Sequence, residues 1–149
     1  KDNDAAMKTF DQALDIDPTF DLALWGKGLI YIQLKDYQQA IDVFHKRSSG
    51  TYTNWALANA WAKLGNREEV EKILNYNVGL SKVRFVPPAV LGHIYVAKGD
   101  KEEACRLFKR QLEDKTGGIF WLYMIKLDPR MDDLKDHPCY KQLMDAMPL

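Results

Sequence analysis

The sequence has few cysteines, no excess of basic or acidic residues and no long apolar run, and each of these shortages excludes a class of protein. Two cysteines in 149 residues are too few for a disulfide framework, so we expect two reduced thiols. Basic and acidic residues number 21 each, which leaves no net charge to attract nucleic acid or an anionic membrane. The longest unbroken apolar run, residues 119–125, is far shorter than the roughly 20 residues that cross a bilayer. These shortages favour a cytoplasmic protein.

The motifs of common catalytic and metal sites are also missing. The sequence has no HExxH or CxxC, and the glycines of residues 26–28 lack phosphate-loop spacing. His45, His93 and His137 fall in different parts of the chain. His93 could be a ligand or a pH-sensitive contact, although a core histidine is the commoner case. Cys105 lacks an evident base. We therefore expect no catalytic residue, no metal site and no cofactor, and we predict that the chain is not an enzyme.

The chain does have columns of residues that recur at a nearly fixed step. Small or aliphatic residues stand 34, 30 and 34 positions apart, and a large apolar residue follows each by four: Ala6 and Phe10, Ala40 and Phe44, Val70 and Leu74, Ala104 and Phe108. A second column pairs Gly28 with Tyr31, Ala58 with Trp61, and Gly92 with Tyr95. Small residues let two helices approach closely, and a period near 34 is typical of stacked helical hairpins.

Apolar periodicity and turn residues predict helices along the whole chain. The predicted helices span residues 2–15, 21–34, 37–46, 53–64, 67–75, 87–98 and 101–113, with Gly79 breaking the chain after the fifth. The apolar run 119–125 fits a strand or a buried helix, and the helical surroundings favour the helix. Asp128-Pro129 and His137-Pro138 suit helix starts, which predicts two short helices at 130–135 and 138–146.

These columns resemble the tetratricopeptide repeat. The clearest copy is residues 21–54, where the positions favoured by that family hold Gly28, Tyr31, Leu34, Asp36, Tyr37, Ala40 and Phe44. Residues 85–116 give a second copy, residues 51–80 a weaker one, and residues 1–18 the second half of another. The resemblance implies an all-α, right-handed solenoid of antiparallel helix pairs, with about three and a half repeats.

The resemblance also implies how the chain is divided. The repeat array would occupy residues 1–118, as a half repeat 1–18 followed by repeats 21–50, 51–84 and 85–116. Residues 119–149 would form a C-terminal capping segment, since a solenoid needs a cover for its last hairpin.

Much of the capping segment is similar to a tail that follows such repeats in bacterial regulators. Arg130 and Asp128 within it could form an ion pair, which contributes little if exposed. Because the sequence enters the repeat halfway through, we expect it to be part of a larger regulatory or assembly protein.

In the resembled family, the first helix of each pair lines a concave surface that binds other proteins. The corresponding positions here, called the concave set, are Leu22, Trp25, Leu29, Ile32, Tyr52, Trp55, Asn59, Val86, Ala89, His93 and Val96. Its apolar and aromatic character is typical of a partner site. The resemblance therefore implies a non-catalytic scaffold module that binds an apolar helix or extended peptide of another protein.

Several alternatives to this function stay open. Trp25 and Trp55 could simply be buried, under the capping segment or against further repeats. The repeats could instead bind nucleic acid or sense a small ligand, although only Lys63 supplies a cation near the concave set. Residues 2–15 could also pair with a second copy of the chain.

Overall fold

The computed structural model describes residues 2–47, 51–114 and 120–147, and throughout these ranges regular structure is helical. The repeat region contains α1 (Asn3–Ile16), α2 (Asp21–Gln33), α3 (Tyr37–His45), α4 (Thr51–Lys63), α5 (Arg67–Ser81), α6 (Pro88–Lys98) and α7 (Lys101–Asp114). The C-terminal part contains α8 (Phe120–Leu127), a 3-10 turn (Pro129–Met131), α9 (Asp132–Lys135) and α10 (Pro138–Ala146).

The helices pack in sequential hairpins. Helices α2 and α3, α4 and α5, and α6 and α7 form three pairs, and α1 packs on α2. Each pair contacts the next, because α3 packs on α4, α5 on α6, and α4 on α6. This succession confirms the predicted all-α helical-repeat fold. The C-terminal part continues it, since α10 packs against α7 and the 3-10 turn packs against α6.

The same turn closes all three hairpins. One residue adopts the left-handed conformation, with φ of 62° at Lys35, 77° at Gly65 and 89° at Gly99. The next residue caps the following helix: Asp36, Asn66 and Asp100 accept hydrogen bonds from the backbone N–H three positions on, at 3.1–3.2 Å. Glycine enters the left-handed region without steric cost, and Asp or Asn satisfies an otherwise unpaired N–H. The recurring turn chemistry therefore sets where each second helix begins.

The small residues of the repeat columns make room for aromatic rings. A Cβ atom added to Gly92 would lie 2.6 Å from the Phe108 ring, and one added to Gly28 would overlap Phe44. Each aromatic residue belongs to the second helix of the same hairpin. The column of small residues on the first helix and the column of large apolar residues on the second helix therefore form the same contact within each of these hairpins.

The predicted break at Gly79 is wrong, because α5 runs through it to Ser81. Asn77 is buried just before the glycine, and its amide donates to the Ile73 carbonyl oxygen at 2.8 Å. A helical glycine costs only about 1 kcal/mol relative to alanine, which packing of this segment can offset. The other predicted boundaries agree within about two residues.

Arg47 closes the α2–α3 hairpin through an ion pair with Asp21. Its Nε donates to Asp21 Oδ1 at 2.7 Å, and its Nη2 donates to Oδ2. The hydrogen bonds from Arg47 lower the pKa of Asp21 from its usual value. Because the folded pKa lies below the unfolded one, this stability is present above the unfolded pKa and is lost as the pH falls through the folded one.

We expect Asp21→Asn to lower the free energy of unfolding at pH 7 by no more than about 1 kcal/mol, since half-exposed Asp21 is screened by solvent. The difference from wild type should shrink as the pH falls and disappear below the lowered pKa of folded Asp21, where the wild-type carboxyl is also protonated. Urea unfolding at pH 7 and at such an acidic pH measures it. Asp42→Asn is the control, because Asp42 accepts a hydrogen bond only from Gln38 among the described contacts. A difference of the same size at both pH values would contradict the role of this ion pair.

Candidate functional site

The concave set is divided by the fold into a buried part and an open part. Six of its residues belong to α4, α6 or the segment before α6 and are buried: Trp55, Asn59, Val86, Ala89, His93 and Val96. Four belong to α2, where Leu22 is exposed, Trp25 and Leu29 are half-buried and Ile32 is buried. The remaining one, Tyr52, has a side chain outside the described part of the structure.

The C-terminal segment, residues 120–147, packs over Trp55 and His93 of the buried part. The guanidinium carbon of Arg130 lies 3.6 Å from the centre of the Trp55 ring. The ring of His93, on α6, lies on the same indole, with 4.6 Å between the two ring centres. Met131 Sδ is 3.1 Å from His93 Nδ1. These contacts stack a cation, an indole and an imidazole across three segments, an arrangement in which the cation and the aromatic face attract each other. His93 is therefore a core residue under the C-terminal segment.

An ion pair with Asp128, the residue that caps the 3-10 turn, holds Arg130 in this position. Arg130 Nε donates to Asp128 Oδ1 at 2.8 Å, Nη2 donates to Oδ2, and the backbone N–H of Arg130 donates to Oδ1 at 2.9 Å. Both side chains are only 3% exposed. Burial lowers the pKa of Arg130, and the hydrogen bond and charge of Asp128 oppose that shift. The sequence predicted an ion pair that contributes little if exposed, and the structure shows that it is buried.

The open part of the concave set borders a groove between α2 and the C-terminal segment. This α2 groove has a volume of about 180 Å³ and is lined by Leu29, Ile32, Gln33, Met124, Leu127, Asp128, Pro129 and Arg130. Leu127 on its far wall is 68% exposed, and Leu22, further along α2, is 61% exposed. Large apolar side chains are thus accessible on α2 and on the C-terminal segment, the two elements that border the groove.

Sequence reasoning missed the second wall of the groove. Met124, Leu127 and Pro129 were assigned to the capping segment, and they line the α2 groove together with Leu29 and Ile32. The available signal was the position of Leu127, an apolar residue directly before Asp128-Pro129, where the chain turns.

Cys105 and Cys139 are joined by a disulfide bond in the structure. The expectation of two separate reduced thiols is therefore wrong. Cys105 lies on α7 and Cys139 on α10, so the bond links the last hairpin to the C-terminal segment. His137 Nδ1 is 3.5 Å from Cys105 Sγ. The sequence carried a signal for this pairing, because 34 residues, one repeat length, separate the two cysteines.

Two family profiles match the chain, and both describe the tetratricopeptide repeat. One matches residues 89–118, and the other matches residues 1–20 and 23–46. No curated protein matches the chain. Among the described helices, none is both long and apolar enough to cross a membrane.

Proposed function

Because the chain belongs to the tetratricopeptide repeat family, whose repeats generally mediate protein–protein interaction or scaffolding, we propose that it binds a partner protein through the α2 groove. The partner would contribute a short apolar segment, with one or two side chains entering between α2 and the C-terminal segment. The observation that carries this proposal is the pair of accessible apolar walls formed by Leu29 and Leu127.

The size of the groove favours a peptide side chain over a free small ligand. Sites for drug-sized ligands usually enclose about 300–1,000 Å³. The α2 groove, at about 180 Å³, is smaller, and helix α2 forms one of its walls. It therefore suits part of a larger molecule whose remaining contacts lie on the neighbouring surface, where Leu22 is exposed.

The charge of the groove favours an apolar partner over nucleic acid. Its lining includes one cation, Arg130, and one anion, Asp128, and these two side chains pair with each other. Phosphate binding needs cations that can replace counterions of the nucleic acid. The lining residues offer no such cation, so the affinity has to come from apolar contact.

We expect Leu127→Asp to weaken partner binding at least tenfold, because it places a charge on an apolar wall without disturbing a buried contact. The partner is represented by peptides selected from a displayed random library against the wild-type chain. Binding of a selected peptide to each variant is then measured by fluorescence anisotropy. Leu29→Ala, on the opposite wall, should weaken binding in the same direction.

Val83→Asp is the matched control for the groove variants. Val83 is 82% exposed and does not line the groove, so the same charge there should leave binding unchanged. Circular dichroism confirms that each variant keeps its helices. Selected peptides that bind Leu127→Asp as well as wild type, a selection without enriched peptides, or displacement by single-stranded RNA would each contradict the proposed function.

A further inference from the structure

We propose that Cys105, Cys139 and His137 bind a Zn²⁺ ion when the two cysteines are reduced, so that the metal fastens α10 to α7. The three ligand atoms, two Sγ and one ring nitrogen, lie within 4.8 Å of one another. Thiolate sulfur and imidazole nitrogen are the ligands that Zn²⁺ prefers in proteins. This metal site is independent of the α2 groove and of any partner.

The separation between the histidine and the first cysteine suits a tetrahedral ion. Zinc lies about 2.3 Å from sulfur and about 2.0–2.1 Å from nitrogen, so two such ligands in a tetrahedron stand about 3.6 Å apart. His137 Nδ1 is 3.5 Å from Cys105 Sγ. The Cα atoms of the two cysteines are 6.2 Å apart, and rotation about their Cα–Cβ bonds can separate the sulfur atoms without moving the helices.

Glu102 orients the histidine for this role. Its Oε1 lies 3.1 Å from His137 Nε2, so the neutral imidazole places its proton on Nε2 and presents the Nδ1 lone pair to the two cysteines. A carboxylate behind a metal-binding histidine is a common arrangement in zinc sites, where it fixes the ring and raises ligand basicity. Nδ1 also accepts from the Cys139 N–H at 3.4 Å, a long contact whose loss would cost little.

Burial of the two cysteines is compatible with a metal site. The whole-residue exposure is 3% for Cys105 and 5% for Cys139. When both sulfur atoms bind as thiolates, one divalent ion balances the two negative charges that would otherwise be buried unpaired. Within the described residues the cluster offers three protein ligands, so we assign the fourth position to water.

Zinc and the disulfide use the same sulfur atoms and exclude each other. A phosphine reduces the disulfide to two thiols with one water molecule, which supplies the two thiol protons and the oxygen of the phosphine oxide. A dithiol supplies both electrons and both protons and ends as its own disulfide. Zn²⁺ then replaces both thiol protons, which pass to solvent. The link between α7 and α10 is therefore covalent under oxidising conditions and metal-mediated under reducing ones.

The test is isothermal titration of the phosphine-reduced full chain with ZnCl₂, repeated with CoCl₂ to record the visible absorption of tetrahedral Co²⁺. We expect one ion per chain. Cys105→Ser, Cys139→Ser and His137→Gln should each weaken binding by at least a hundredfold. Glu102→Gln should weaken it by about 10–100-fold while leaving the tetrahedral Co²⁺ spectrum in place, as a positioning residue would.

His45→Gln is the matched control, because His45 is an exposed histidine on α3, away from the cluster. It should bind Zn²⁺ as wild type does. Circular dichroism of the metal-free variants separates loss of ligand from loss of fold. A reduced chain that takes up no stoichiometric Zn²⁺, binding that survives both cysteine substitutions, or a disulfide that resists the phosphine would overturn the proposal.

Discussion

Asp128→Ala should reduce the free energy of unfolding by about 3–5 kcal/mol, because it leaves the guanidinium of Arg130 buried without its anion. The carboxylate of Asp128 accepts three hydrogen bonds from Arg130 and caps the 3-10 turn. A buried charge that loses its partner must either stay desolvated or return to water. In the second case Arg130 leaves the Trp55 ring, and the C-terminal segment separates from α4 and α6.

Two measurements separate these outcomes. Urea unfolding followed by circular dichroism gives the overall stability, and limited proteolysis reports cleavage within residues 120–147. Either lower stability or faster cleavage in the C-terminal segment agrees with the prediction. Unchanged values of both would show that the ion pair contributes nothing.

The double variant Asp128→Leu/Arg130→Met is the matched control for this pair. Replacing both charges with apolar residues of similar size removes the desolvation cost together with the attraction, and such replacements are often neutral or stabilising. We expect the double variant to be more stable than Asp128→Ala alone. If it is less stable, the caps and contacts made by the two side chains matter more than their charge.

Gly28→Leu should destabilise the fold by about 3 kcal/mol or more, because the new side chain has no space between α2 and α3. Even a Cβ atom at this position would overlap the ring of Phe44, which is 2% exposed and cannot turn into solvent. The helices would have to separate, and Ala40 and Ile41 would lose contacts in the same cluster. Urea unfolding of the variant measures the loss.

Gly79→Leu provides the control for the same chemical change. Gly79 also lies within a helix, but a Cβ atom there would meet nothing within 4 Å. Leucine is a better helix former than glycine, so this variant should gain up to about 0.8 kcal/mol. Similar losses for both variants would mean that helix packing at Gly28 is not the cause.

The hairpins could be predicted from the sequence because their determinants are close together in the chain. Gly28 and Phe44 are 16 residues apart, and each turn is specified by a left-handed residue followed by Asp or Asn. Such short-range pairs repeat with the period, so each copy supports the others. The family profiles match α1, the α2–α3 hairpin and nearly all of the α6–α7 hairpin.

The candidate site could be predicted only in part, since it depends on contacts between distant segments. Arg130 and Trp55 are 75 residues apart, and no local pattern indicates that one covers the other. The sequence does not indicate whether the ion pair of Asp128 and Arg130 is exposed, and only the fold shows that both side chains are buried. Of the four predicted α2 positions, Leu29 and Ile32 line the groove and Leu22 and Trp25 do not, whereas the wall formed by Met124, Leu127 and Pro129 came only from the structure. Their role in binding stays a prediction.

The position of the C-terminal segment over Trp55 also affects competition between ligands. A segment tethered to its own binding surface acts at an effective concentration of the order of millimolar. A separate protein present at micromolar concentration must therefore bind α4 and α6 roughly a thousandfold more tightly than this segment to replace it in half of the molecules. We therefore expect weak partners to bind on the α2 side of the chain.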